Sequence, residues 1–139
     1  MSFGKTVLLY AVTLAVFFAI DMVWLGALAR GFYRRHLGPL MAAKVVWPAA
    51  AAFYLLFVAG LTIFVIWPSL AACQGSLARP VLFGALFGLI AYATYDLTNL
   101  ATLKDWPPIM TCVDLIWGTV LGGLVSLAGA AFGRWLLRP

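Results

Sequence analysis

The sequence predicts an all-α integral membrane protein, an antiparallel four-transmembrane-helix bundle forming a single domain over residues 1–139. Three observations predict it. Hydrophobic residues make up 65% of the chain and charged residues 9%, against about 25% charged in soluble domains, and mean hydropathy is +1.07. Four apolar stretches are each long enough, at about 1.5 Å per residue, to cross a hydrocarbon core about 30 Å thick. The connections between them are short, so neighbouring helices run in opposite directions.

The first helix covers about 7–29 and is apolar apart from Asp21. The same stretch also reads as a signal peptide, with Lys5 as its basic region, 7–20 as its apolar core and Ala27-Leu28-Ala29 as a small-x-small cleavage site. From Arg30 to Lys44, basic residues alternate with Phe32, Tyr33, Leu37, Leu40 and Met41. That pattern suits the headgroup region, with basic groups toward water and phosphate and aromatic rings in the interface. Gly38-Pro39 breaks it.

The second helix, about 46–67, opens with Pro48, tolerated in a first turn, and closes at Trp67-Pro68. A polar turn leads to the third helix, about 81–103, which Lys104-Asp105-Trp106-Pro107-Pro108 stops. The fourth, about 109–137, ends beside Arg134, Trp135 and Arg138. Trp47, Trp67, Trp106 and Trp135 fall at span ends and read as interfacial anchors.

Net charge is +5, but the bases sit at span ends instead of forming a run with interleaved aromatics, so nucleic acid is not an expected partner. They divide five to four between the two membrane faces, which leaves orientation open. Cys73 and Cys112 belong to opposite ends of the predicted bundle and cannot bridge within one chain. No Cys-x-x-Cys occurs and His36 is the single histidine, so no metal or cofactor is expected.

The acidic residues are four aspartates. Only Asp105 lies in a loop; Asp21, Asp96 and Asp114 interrupt apolar helices, where an ionisable side chain costs about 2.5 kcal/mol or more and marks a site or an interhelical contact. Alternating helix directions place all three in one half of the bilayer. Counted from Arg30, Lys104 and Pro108, their depths are roughly 9–14 Å.

Helix faces agree with those depths. Gly84, Gly88, Tyr92 and Asp96 recur every four residues on the third helix, as do Asp114, Gly118, Gly122, Ser126 and Ala130 on the fourth. Small-xxx-small stripes allow close backbone approach, which sets Asp96 opposite Asp114 with Asn99 one turn beyond. The first helix offers Tyr10, Thr13, Phe17, Asp21 and Trp24 to the same place. Three carboxylates in one dry pocket cannot all stay ionised, so one holds a proton or a cation sits among them. Asp-x-x-Trp occurs twice, at Asp21/Trp24 and Asp114/Trp117, and each pair shares a helix face, so the indoles are candidate pocket walls.

The candidate catalytic residues are therefore Asp21, Asp96 and Asp114. The candidate ligand-binding residues are Tyr92, Tyr95, Asn99, Trp24 and Trp117, with Arg34 and Arg35 to hold a head group.

Asp21-x-x-Trp24-Leu25-Gly26, Phe32-Tyr33, Leu37-Gly38, Tyr95-Asp96-Leu97-Thr98-Asn99-Leu100-Ala101-Thr102 and Asp114-x-x-Trp117-Gly118 resemble a family of small predicted bacterial inner-membrane proteins catalogued as a domain of unknown function. The resemblance covers nearly the whole chain. It implies four helices and a multi-pass protein of the bacterial inner membrane, and it carries no activity.

Three functions compete. One is a one-sided acidic intramembrane pocket that binds, and in a stronger form modifies, a membrane lipid or amphiphilic small molecule, one Asp serving as acid and another as base. The second is a proton- or cation-coupled small transporter acting as a homodimer, although no helix carries a Pro break in its middle. The third is a non-catalytic assembly or accessory subunit whose acids fix helix pairing.

Overall fold

The computed structural model describes residues 2–72 and 76–138. Four helices are long and apolar enough to cross a membrane: Phe3–Leu28, Trp47–Ala72, Ala78–Thr102 and Pro108–Leu136. No strand occurs among the described residues.

In the first span, α1 (Phe3–Val23) passes through a π-helical turn (Trp24–Leu28) into the short α2 (Arg30–Leu37). The helix begins before Val7 because Ser2 caps it, its hydroxyl accepting from the Lys5 amide at 3.4 Å. The second span joins α3 (Trp47–Gly60), a π-helical segment (Leu61–Ile66) and α4 (Trp67–Ala72), so it runs past Trp67-Pro68. In the π register the Trp67 amide reaches the Thr62 carbonyl. The proline ring thus enters a backbone already widened, where it does not have to end the helix.

Helix α5 (Ala78–Thr102) starts before Val81 with Pro80 inside its first turn, where a missing N–H removes no intrahelical bond. Between α5 and α6 (Pro108–Leu136), Asp105 takes a left-handed conformation with φ 60°, one that Asp adopts more readily than most residues. Trp106 is not an exposed interfacial anchor. It is buried, donates through Nε1 to the Thr111 hydroxyl at 3.2 Å, and meets the Tyr95 ring edge-on.

Helix α6 is the centre of the molecule, with α5 against one side and α1 and the Leu61–Ile66 segment against others. The α5/α6 seam is closed by glycine. A Cβ on Gly88 would overlap the Gly118 carbonyl oxygen, and one on Gly122 would overlap the Gly84 carbonyl oxygen. Contacts advance along α5 from Gly84 to Tyr92 as they retreat along α6 from Ser126 to Gly118, so the two helices run in opposite senses.

Phe17, Phe57, Leu61, Val65, Leu121 and Val125 form the apolar core with Val58. Around it the second span changes neighbours. Leu61–Ile66 packs on α5 and α6, whereas α3 packs on α1 and meets α5 through rings, Phe57 on Phe87 and Tyr92, and Phe87 against Gly60.

Because only backbone atoms oppose Gly88, nothing there can give way. Gly88→Ala is expected to cost about 1–3 kcal/mol from overpacking, read as a lower thermal midpoint in detergent. Gly4→Ala, whose Cβ meets nothing within 4 Å, is expected to leave the midpoint unchanged or slightly higher.

Candidate functional site

The buried stripe of α1 is Leu9, Thr13, Phe17 and Asp21, recurring every four residues. Its last member reaches two other spans. Tyr54 of α3 donates to Asp21 Oδ2 at 2.9 Å, and Trp117 Nε1 of α6 donates to Oδ1 at 3.2 Å. Asp114 receives the Tyr33 hydroxyl on Oδ1, and the same hydroxyl oxygen accepts from Trp24 Nε1 at 3.2 Å.

The indoles of Trp24 and Trp117 stack with centroids 4.2 Å apart and planes 6° from parallel. The two Asp-x-x-Trp motifs are thereby exchanged. The indole following Asp114 serves Asp21, and the indole following Asp21 serves Asp114 through Tyr33.

Tyr33 reaches this position because of the π turn. The Ala29 amide bonds the Trp24 carbonyl five residues back, at 2.7 Å, which displaces the chain from α-helical register before α2 begins. The amphipathic α2 then presents Tyr33 and Phe32 inward while Arg34 and Arg35 stay exposed. Burial first, and then the Asp114 hydrogen bond, push the Tyr33 pKa above the ordinary phenol value.

A cavity of about 460 Å³ opens beside these groups. Asp21, Asp114 and Trp117 line its inner wall; Tyr33, Tyr54 and Tyr92 flank it; Phe53 and Tyr95, both substantially exposed, stand with Leu25, Ala50 and Ala91 toward its mouth. Trp24 backs the wall through its stack on Trp117.

Several residues singled out in the sequence lie elsewhere. Asp96 is fully buried, but it does not line the cavity, and among the described residues neither carboxyl oxygen has a hydrogen-bond partner. By the α5/α6 register it stands opposite Met110 and Asp114. The three carboxylates thus separate into a cavity pair and one group between helices.

Asn99 is half-buried outside the lining, and Arg34 and Arg35 are not at the cavity. Among the described residues no three His, Cys, Asp or Glu side chains are arranged to hold a metal ion. Cys112 is exposed, while Cys73 lies outside the described residues, so the expected separation of the two falls outside them as well.

Two polar partners, Tyr33 and Tyr54, are absent from the candidates named on sequence. Tyr54 had a signal, being the one hydroxyl between Lys44 and Thr62. Tyr33 had only its place in the family-like Phe32-Tyr33 pair, since an aromatic among arginines otherwise reads as interface.

Folding raises the Tyr33 pKa, so the protonated phenol stabilises the fold below its ordinary value of about 10, and this contribution is lost as pH rises beyond it. Between about pH 10 and 11.5 the wild type should lose stability more steeply than Tyr33→Phe, by up to about 1.4 kcal/mol per pH unit. Equal slopes in chemical denaturation would contradict the buried Tyr33–Asp114 contact.

No curated protein and no solved structure matches the chain at a significant level. Residues 6–131 match the family described as "Predicted membrane protein (DUF2177)". With four spans, and with that match covering most of its length, the chain belongs to this family of membrane proteins of unknown function.

Proposed function

We propose that this protein is a multi-pass binding protein of the bacterial inner membrane that takes an amphiphilic or lipid ligand into a one-sided acidic pocket. One observation carries the reading. The cavity beside Asp21 and Asp114 opens between α3 and α5, which meet there through aromatic rings, with Phe53 and Tyr95 exposed at its mouth. An apolar opening at membrane depth admits a ligand sideways from the bilayer, and the convergent polar groups behind it give the ligand an orientation. Cavity size agrees, since small-molecule sites commonly enclose about 300–1,000 Å³.

The cost of the arrangement argues in the same direction. Two carboxylates and four hydrogen-bonding aromatic side chains gathered in one half of a bundle exceed what a single helix-pairing contact requires, and intramembrane acids are by default functional. Binding is the part of this reading that the geometry supports. Chemical alteration of the ligand would need Asp21 and Asp114 to divide acid and base roles.

Native mass spectrometry with lipid extraction tests the pocket. Wild-type protein should carry a specific amphiphile that both Asp114→Asn and the cavity-filling Ala91→Phe lose. Identical bulk lipid in all three would remove the reading.

A second reading, proton- or cation-coupled transport, draws on Asp96. A buried carboxyl with no partner costs about 1–3 kcal/mol or more, an expense that helix packing does not explain and that proton relays in membranes do. Asp96→Leu is therefore expected to hold or raise the thermal midpoint in detergent. A drop of more than a few degrees would assign Asp96 to packing and remove the support it lends to transport.

A further inference from the structure

We infer that the ligand is a lipophilic cation, an ammonium or other onium group carried on an apolar body; this rests on the pocket reading above. Charge at the lining is one-signed. Asp21 and Asp114 supply it, and no Lys, Arg or His stands among the lining residues. The nearest arginines in sequence, Arg34 and Arg35, are exposed on α2 and do not line the cavity.

The two carboxylates are also unequally occupied. Asp21 has a donor on each oxygen, Tyr54 on Oδ2 and Trp117 on Oδ1. Asp114, 7% exposed, has Tyr33 on Oδ1 and, among the described residues, no donor on Oδ2. An acceptor on a buried residue, itself accessible at the cavity wall, is left for a guest, and Asp21 adds a second carboxylate held in place by its own donors.

The remaining walls suit the same guest. Tyr33, Phe53, Tyr54, Tyr92, Tyr95 and Trp117 line the cavity with aromatic rings, whose electron-rich faces attract a cation, most strongly where water is excluded. An anionic head group would meet two like charges at low dielectric. A neutral one would leave the pair to be relieved by taking up a proton, and would make less use of the ring faces. A cation is the class that answers both carboxylates and uses the rings, while its apolar body faces the bilayer between Phe53 and Tyr95.

Equilibrium binding in phosphatidylcholine nanodiscs, with empty discs subtracted, tests the assignment using tetraphenylphosphonium and tetraphenylborate, ions of similar shape and opposite charge. Wild type should bind the phosphonium saturably and the borate not. Asp114→Asn should weaken phosphonium binding about tenfold or more, and Ala91→Phe should abolish it. If the asparagine variant does not remain monodisperse, Tyr92→Leu, which removes a wall ring without changing charge, should weaken the phosphonium severalfold.

Saturable borate binding that Ala91→Phe abolishes would overturn the cation assignment and leave the pocket reading standing. Phosphonium binding unchanged in well-folded Asp114→Asn or Tyr92→Leu would overturn it likewise. Absence of saturable binding of either ion by the wild type would overturn it too, and the co-purified amphiphile would then decide the pocket reading separately.

Discussion

Two carboxylates buried between helices, Asp21 and Asp114, must find donors inside the protein, because burial takes them from water, and much of the fold follows from how they do so. Asp21 and Asp114 lie on different spans, and each takes a donor from the other's motif. Trp117 reaches Asp21, while Trp24 reaches Asp114 by way of Tyr33. Stacking of the two indoles ties the exchange together. Hydrogen bonds to charged groups contribute about 1.5–3 kcal/mol each, and here they join α1, α2, α3 and α6 at one end of the molecule. No single helix in this set could satisfy its own acid.

Around that polar end the helices are held by two different kinds of packing. Glycine removes side chains from the α5/α6 seam until backbone meets backbone, which fixes those helices in register. A layer of phenylalanine and branched aliphatic residues joins α1, the second span and α6, with Phe17 and Phe57 in direct ring contact. Phe57 also touches Phe87 of α5 by its edge, so α3 is propped on α5 by rings and not by close backbone approach. The glycine seam is tight and the ring contacts are wide. The cavity lies on the wide side.

Both π-helical segments fall where the chain changes neighbours. At Trp24–Leu28 the extra residue in the turn brings α2 back against the bundle, and at Leu61–Ile66 it marks the change from a span packed mainly on α1 to one packed on α5 and α6. Asp96 stands apart from these devices, buried by the tight seam and left without a donor. Position on a face put it there.

The four spans were legible because hydropathy acts locally: an apolar stretch of sufficient length crosses hydrocarbon whatever its neighbours are. Helical spacing likewise determined that Asp21, Thr13 and Phe17 share a face, that Gly84 and Gly88 meet small residues of α6, and that Trp24 and Trp117 stand beside acids. Only the tertiary structure decided the pairings. Tyr33 looks interfacial until a π turn, with no clear mark in composition, brings it to Asp114, and Trp106 looks like an anchor until the left-handed Asp105 turns it inward. Asp96, opposite Asp114 in the register the spacing predicts, stays out of the cavity lining for the same reason. Hydrogen-bond partners depend on angles and distances between helices, which are set by the sum of packing across the bundle and not by any one segment.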